Sequence, residues 1–258
     1  MDPTPTSATL SDEALVELVA MLPAVDSVEL KLCVPDGGRR SAVAALRLDP
    51  LQAELRQAVF FDTADLALDR CGVVLRARRI RDKPGDTVVK IRPIQPEAVP
   101  QALRDEPGFS LEVDALPGGF TCSGSMRHHA TDADVRSVMQ GAQSVRTLLS
   151  RPQRRLYAAH VGDDGPRLDR LSVLGPITIM KLKWRPPDVS RRFVAELWLF
   201  PDGGRTLELS TKCAPGDAFA AAAEAKAFLI SHGIDLTAEQ QTKTRAALAF
   251  FSLELARP

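Results

Sequence analysis

Long apolar runs are missing from this chain of 258 residues. No stretch of about 18 apolar residues occurs, so no segment is expected to span a membrane. Cysteine is scarce. The four, Cys33, Cys71, Cys122 and Cys213, stand far apart, with neither zinc-ligand spacing nor the density of a disulfide scaffold. A reducing, cytoplasmic setting is expected, and the opening Met1-Asp2-Pro3-Thr4-Pro5-Thr6 lacks the basic segment and apolar run of a secretory signal. Aromatic residues are few, at 5%, which leaves little to stack nucleobases. Net charge is absent too: 33 Lys and Arg balance 33 Asp and Glu, which argues against a broad nucleic-acid-binding face. Neither a phosphate-loop motif nor a dinucleotide fingerprint is present, and no Ser/His/Asp set suggests itself.

What the chain does have is alternation. Residues 1–10 read as a disordered tail and 11–255 as one domain. Ser11 caps a helix to about Leu22, with Asp12 and Glu13 in its first turn. Strands are expected at Val28–Val34, Gln57–Phe61, Val73–Arg79, Asp86–Arg92, Phe109–Val113, Arg154–His160, Leu171–Trp184, Phe193–Phe200 and Thr206–Cys213. Helices are expected at 41–48, 132–149, Asp217–Ser231, and from Thr237, with Gln240 completing a capping box, to Leu253. Residues 118–130 read as irregular. The fold class is α+β, with about eight strands and no βαβ rhythm.

On these strands charge recurs every second residue, and often one sign fills a face. Arg76 and Arg78 alternate with Leu75 and Ala77, Lys90 and Arg92 with Val89 and Ile91, and Lys181 and Lys183 with Leu182. A solvated antiparallel sheet is the plain explanation. Single-sign faces fit better inside a barrel whose apolar faces are covered by helices. Such an interior requires a charged ligand to offset repulsion and desolvation. The inward candidates are Lys31, Arg76, Arg78, Lys90, Arg92, Arg154, Lys181, Lys183 and Lys212 against Glu29, Glu112, Asp114, Glu196 and Glu208. The basic excess suits a polyphosphate, with acids left over for a divalent metal.

The ordered set Glu29-x-Lys31, Phe61-Asp62-Thr63-x-Asp65-Leu66-x-Leu68, Gly72-x-x-Leu75-Arg76-x-Arg78, Lys90, Arg92-Pro93 and Glu112-x-Asp114 resembles the CYTH superfamily, the triphosphate tunnel metalloenzymes. The resemblance is strong over 26–114 and runs in order to about 250. It implies an eight-stranded antiparallel β-barrel with helices packed outside. It also implies triphosphate or polyphosphate bound by Lys31, Arg76, Arg78, Lys90, Arg92, Arg154, Lys181, Lys183 and Lys212, and Mg²⁺ or Mn²⁺ held by Glu29, Glu112, Asp114, Glu196 and Glu208. Glu29 and Lys31 are then the catalytic candidates. A metal-dependent triphosphatase, a non-catalytic polyphosphate or nucleotide binder, and an adenylate cyclase are the readings, in that order. Nucleic acid is expected only as a 5′-triphosphate end, and a homodimer is left open. Three positions depart from the pattern: Ser27 replaces a first Glu, Ser110 a base, and Lys181 and Lys183 a Glu-x-Glu pair. Elsewhere, His128-His129 reads as an exposed loop, Asp163-Asp164-Gly165 and Asp202-Gly203-Gly204 as turns, and Lys243 and Arg245 as a solvated helix face.

Overall fold

The computed structural model describes residues 10–237, 240 and 242–255, so all but the last residue of the tail expected at 1–10 lies outside the described residues. Among the described residues nine strands are formed: β1 (Ser27–Val34), β2 (Glu54–Asp62), β3 (Val73–Ile80), β4 (Lys83–Ile91), β5 (Phe109–Leu116), β6 (Gly119–Ala130), β7 (Ser172–Trp184), β8 (Phe193–Leu199) and β9 (Arg205–Cys213). They close a barrel in the order β1-β5-β6-β4-β3-β2-β7-β8-β9. Every neighbouring pair is antiparallel except β1 and β5, which run parallel. The barrel is therefore mixed and nine-stranded, not eight-stranded and antiparallel.

The helices are α1 (Asp12–Met21), α2 (Arg39–Ala45), α3 (Ala67–Arg70), α4 (Gln101–Arg104), α5 (Asp132–Met139), α6 (Val145–Leu148), α7 (Arg151–Val161), α8 (Ala218–Ser231) and α9 (Lys243–Leu255). Side chains alternate across a strand, so each strand offers one apolar face outward. On β1 that face is Val28, Leu30 and Leu32, packed by Leu18 and Met21 of α1 and by α8. The outer faces of β3, β4 and β6 are covered by α5, α6 and α7 through Val135, Val138, Leu148, Leu156 and Tyr157. Each such buried Leu or Val contributes about 1.5–3 kcal/mol.

Helix α9 does otherwise. Its Ala247, Leu248 and Phe251 pack on Phe60, Val74, Leu174, Ile177 and Trp198, which lie on the inward faces of β2, β3, β7 and β8. That inward packing closes the end of the barrel where β2 finishes and β7 begins. The opposite end, where β3 turns into β4, is here called the mouth.

Three local expectations are corrected. Residues 119–130 form β6, because ladders to β5 and β4 satisfy a backbone whose Gly, Ser and His content advertises no strand. Residues 154–160 belong to α7, not to a strand. Its start is fixed by a capping box, in which Ser150 Oγ accepts from Gln153 N at 3.3 Å and Gln153 Oε1 from Ser150 N at 3.0 Å. The last helix begins at Lys243, since Thr237 N–H instead donates to Asp235 Oδ1 at 2.8 Å and Gln240 Oε1 accepts from Cys33 N at 2.8 Å.

The β2–β3 connection is a capped turn. Asp62 accepts N–H groups of Thr63, Leu68 and Asp69 at 2.7, 2.8 and 3.0 Å, and Thr63 Oγ1 accepts from Ala67 at 2.8 Å. Gly72 ends the turn at φ 74°, where a Cβ would lie 2.3 Å from the Arg92 carbonyl oxygen.

Candidate functional site in the barrel interior

The parallel pairing of β1 with β5 sets Ser27 opposite Glu112 and Glu29 opposite Asp114. Paired residues share a face, and this one points inward. One oxygen each from Glu29, Glu112 and Asp114 lie within 4.8 Å of one another, a group of hard oxygen donors. Lysines neutralise it. Lys31 Nζ is 3.1 Å from Glu29 and 2.7 Å from Asp114, Lys90 donates to Asp114 at 2.6 Å, and Lys212 pairs with Glu112. Ser27 Oγ donates to Glu112 at 3.3 Å. Against the cost of burial, Lys31 and Lys90 hold the Asp114 carboxyl well below its ordinary range, and Asp114 and Glu29 hold Lys31 well above its own. Burial lowers Lys90 in spite of Asp114.

On the strands that adjoin β1 on its other side, Glu196 on β8 and Glu208 on β9 are register partners. They fall outside the trio. Lys181 of β7 donates to Glu196 at 2.8 Å. Lys243, the first residue of α9, reaches in to pair with Glu196 and, at 2.6 Å, with Glu208. Its ammonium stands 5.5 Å over the Trp198 ring. Lys243 is thus an interior residue, not part of a solvated helix face. Although burial opposes their charge, the lysines hold Glu196 well below its ordinary range, and the carboxylates raise Lys243.

The third wall is β3, β4 and β6. Arg78 Nε donates to Asp86 Oδ1 at 2.9 Å. Arg76 faces the same interior, but it forms no ion pair among the described residues, and its Nε is buried without a hydrogen-bond partner. Burial, and then the neighbouring Arg78, lower its pKa.

Arg76, Arg78, Lys90, Glu112 and Asp114 therefore share one interior, as their parity implies. Three other candidates stand apart. Arg92, just past β4, lies 3.7 Å from Asp69 of α3. Lys183 is exposed opposite Val194. Arg154 sits on α7, outside the barrel, and donates to the Leu149 carbonyl. His128 and His129 are exposed but lie in β6, not in a loop. Sequence reading missed Lys243, Asp86 and Arg127. For Asp86 the signal was available: it shares the parity of Lys90 on a strand already recognised.

No protein-family model matches the sequence, and neither does any curated protein. Solved structures do resemble the chain. A candidate adenylyl cyclase from Hippeastrum, HpAC1, with a dominant triphosphatase activity, superposes with a TM-score of 0.61 at 19% identity, over 86% of this chain and 95% of that one. A candidate adenylate cyclase from Bacillus halodurans superposes with a TM-score of 0.60 at 11% identity, over 86% of this chain and 97% of that one. The chain shares their fold. Among the described residues, no helix is long and apolar enough to cross a membrane.

Proposed function

We propose that this protein is a CYTH-type triphosphatase, which binds a triphosphate-containing anion in the barrel interior and hydrolyses its terminal phosphoanhydride with Mg²⁺ or Mn²⁺. One observation carries the reading: Arg76 is an inward cation whose buried Nε has no partner. An unpaired charge in such a place is costly unless a ligand supplies the counter-charge. A phosphate chain does so, because guanidinium and ammonium groups bind phosphate oxygens strongly. Arg76, Arg78, Lys31 and Lys90 are its proposed first holders, with Lys181 and Lys212 contributing nearer the mouth. The activity of HpAC1 supports the same direction.

Glu29, Glu112 and Asp114 would hold the metal. Their oxygen-only donor set fits a hard cation, and the buried Asp114 carboxylate is already surrounded by positive charge. Bound there, a divalent ion would supply charge neutralisation on the phosphoryl oxygens. Lys31, between Glu29 and Asp114, is placed to take a phosphate oxygen once those acids have another partner. No disulfide forms among the described residues, which suits a reducing cytoplasm.

A second reading has its own observation. Lysines already neutralise the carboxylate trio, and Ser27 hydrogen-bonds Glu112 where a further acid would add metal affinity. That favours a binder without turnover. Cyclisation of ATP ranks last, since the inward aromatics Phe60 and Trp198 are fully buried, 6.1 Å apart, and offer no face to a base.

The deciding measurement is phosphate release from inorganic triphosphate, thiamine triphosphate and ATP, each with Mg²⁺, with Mn²⁺ and with neither. Metal-dependent release that Glu29→Gln abolishes, while calorimetric binding of metal-free triphosphate persists, is the expected result. Binding without release in the wild type selects the non-catalytic reading. No binding of any of the three ends both.

A further inference from the structure

Helices α1 and α8 are apolar on more than one side. In α8 the only polar residues are Glu224, Lys226 and Ser231. Its Ala221, Ala225 and Phe228 are buried. Its outer stripe is apolar as well: Phe219 is 50% and Ile230 55% exposed, with Ala222 and Ala223 exposed between them. In α1, Leu18 and Met21 are buried, while Val16 is 70% exposed and Leu15 and Val19 are exposed beside it. A surface helix turns one apolar face inward and a polar one outward, and a helix apolar all round is a covered one.

A groove of about 1310 Å³ is lined by both helices, through Leu18 of α1 and Phe219, Ala222, Lys226 and Ile230 of α8. Its floor includes the outer face of β1. There Val28 and Leu32 are buried, but Leu30 between them is only half-buried. The two helices carry opposite charge. Asp12, Glu13 and Glu17 of α1 are exposed and join no ion pair among the described residues. Lys226 of α8 is likewise exposed and unpaired among them. The other acid of α8, Glu224, is taken: it accepts from Ser190 N and from Arg191 Nε, both at 2.8 Å. Asp235, which also lines the groove, accepts from Thr237 N at 2.8 Å.

We propose that the occupant of this groove is a second copy of this chain. Leu15, Val16 and Val19 of one protomer enter the groove of its partner beside α8, and the partner's α1 enters the first groove in return. Such a two-fold contact is self-complementary, since each protomer offers the same stripe and the same groove. The small side chains of Ala222 and Ala223 let the incoming helix approach closely. Glu17, next to Val16, then meets Lys226 of the other protomer. An anionic membrane is the poorer occupant, because three acids on α1 repel it. The groove lies outside the barrel, so the inference is independent of the triphosphatase reading.

Sedimentation of the full chain over a range of concentrations tests this. One chain has a mass of 28.0 kDa, and the wild type is expected at twice that mass in the micromolar range. Its urea midpoint should rise with protein concentration, because association stabilises only the folded form. Val16→Glu, at an exposed site, should weaken association roughly tenfold or more, since it buries an unpaired charge in the contact. Glu17→Lys and Lys226→Glu should each weaken it, and both together in one chain should restore it. Leu253→Glu, at an exposed site on α9, should leave the mass unchanged. Circular dichroism checks that each variant is folded, and the charge pair serves if Val16→Glu is not. A wild type that sediments as a single chain at every concentration overturns the inference, whatever else fills the groove. So does a dimer that folded Val16→Glu leaves intact, one that neither charge reversal weakens, or a double reversal that regains nothing.

Discussion

Two walls of one barrel treat their charges differently. On β7, β8 and β9 every inward carboxylate has a lysine: Glu196 has Lys181 and Lys243, and Glu208 has Lys243. On β3, β4 and β6 the bases outnumber the acids, and among the described residues Arg76 forms no ion pair and its Nε has no hydrogen-bond partner. The first wall is electrically complete without a ligand. The second keeps an excess of positive charge, which the proposed anion would offset. Stability and binding are thus assigned to different sides of the same interior, and substitutions should separate them.

The largest effect is expected at Lys243. Lys243→Ala would leave Glu196 and Glu208 buried with too little positive charge, and breaking a buried pair in this way costs about 3–5 kcal/mol. Urea unfolding should read that loss as a lower midpoint; an unchanged midpoint would break the comparison. The same wall fixes a pH dependence. Glu196 has a folded pKa well below its unfolded value, as does Asp114 in the trio. Such groups add stability above the unfolded value, and that stability is lost as pH falls toward the folded one. Wild-type stability should therefore drop below about pH 4, the unfolded carboxylate range, and the drop should be shallower in Lys243→Ala.

Arg76→Ala should do the opposite. It removes a cation with no ion pair among the described residues, beside the like charge of Arg78, so the apo protein should unfold at the same urea concentration or a higher one. Triphosphate binding should weaken by roughly 1.5–3 kcal/mol, the scale of a charged hydrogen bond. Unchanged affinity in calorimetry would take Arg76 out of the site. Two residues along, Arg78→Ala sharpens the contrast: Asp86, buried and paired only through Arg78, loses its partner, so stability should fall by about 1–3 kcal/mol along with affinity. The smallest effect concerns Ser27→Glu. A second acid beside Glu112 should slightly destabilise the metal-free protein, and Mn²⁺ should restore the loss in a thermal melt. No response to Mn²⁺ would remove the trio as a metal site.

How far the sequence foretold this can be followed residue by residue. Parity sufficed to place Glu29, Lys31, Arg76, Arg78, Lys90, Glu112 and Asp114 inward, because one apolar face and one charged face leave a strand a single orientation in a covered barrel. Partners were harder. Lys243 pairs with Glu196 across 47 positions of sequence, through the starting point of a helix that its residues place several positions too early. The parallel union of β1 with β5 is invisible locally, since it exists only once the barrel closes. In β6, Cys122-Ser123-Gly124-Ser125 carries none of the β-branched residues that mark strands, yet it is held on both sides by neighbours. Arg154 shows the reverse error. Alternation around it suggested a strand, while Ser150 and Gln153, three apart, already announced a helix.

Helix α9 has a consequence for traffic. With Phe60, Trp198, Leu174 and Ile177 packed beneath it, the barrel is a sleeve stitched shut at one end. On the triphosphatase reading, a linear guest would enter head first and have no way out ahead of it. Whatever was cut from it would have to leave by backing out along the path of entry. A long chain would thus be trimmed from its tip, one visit at a time, never severed in the middle.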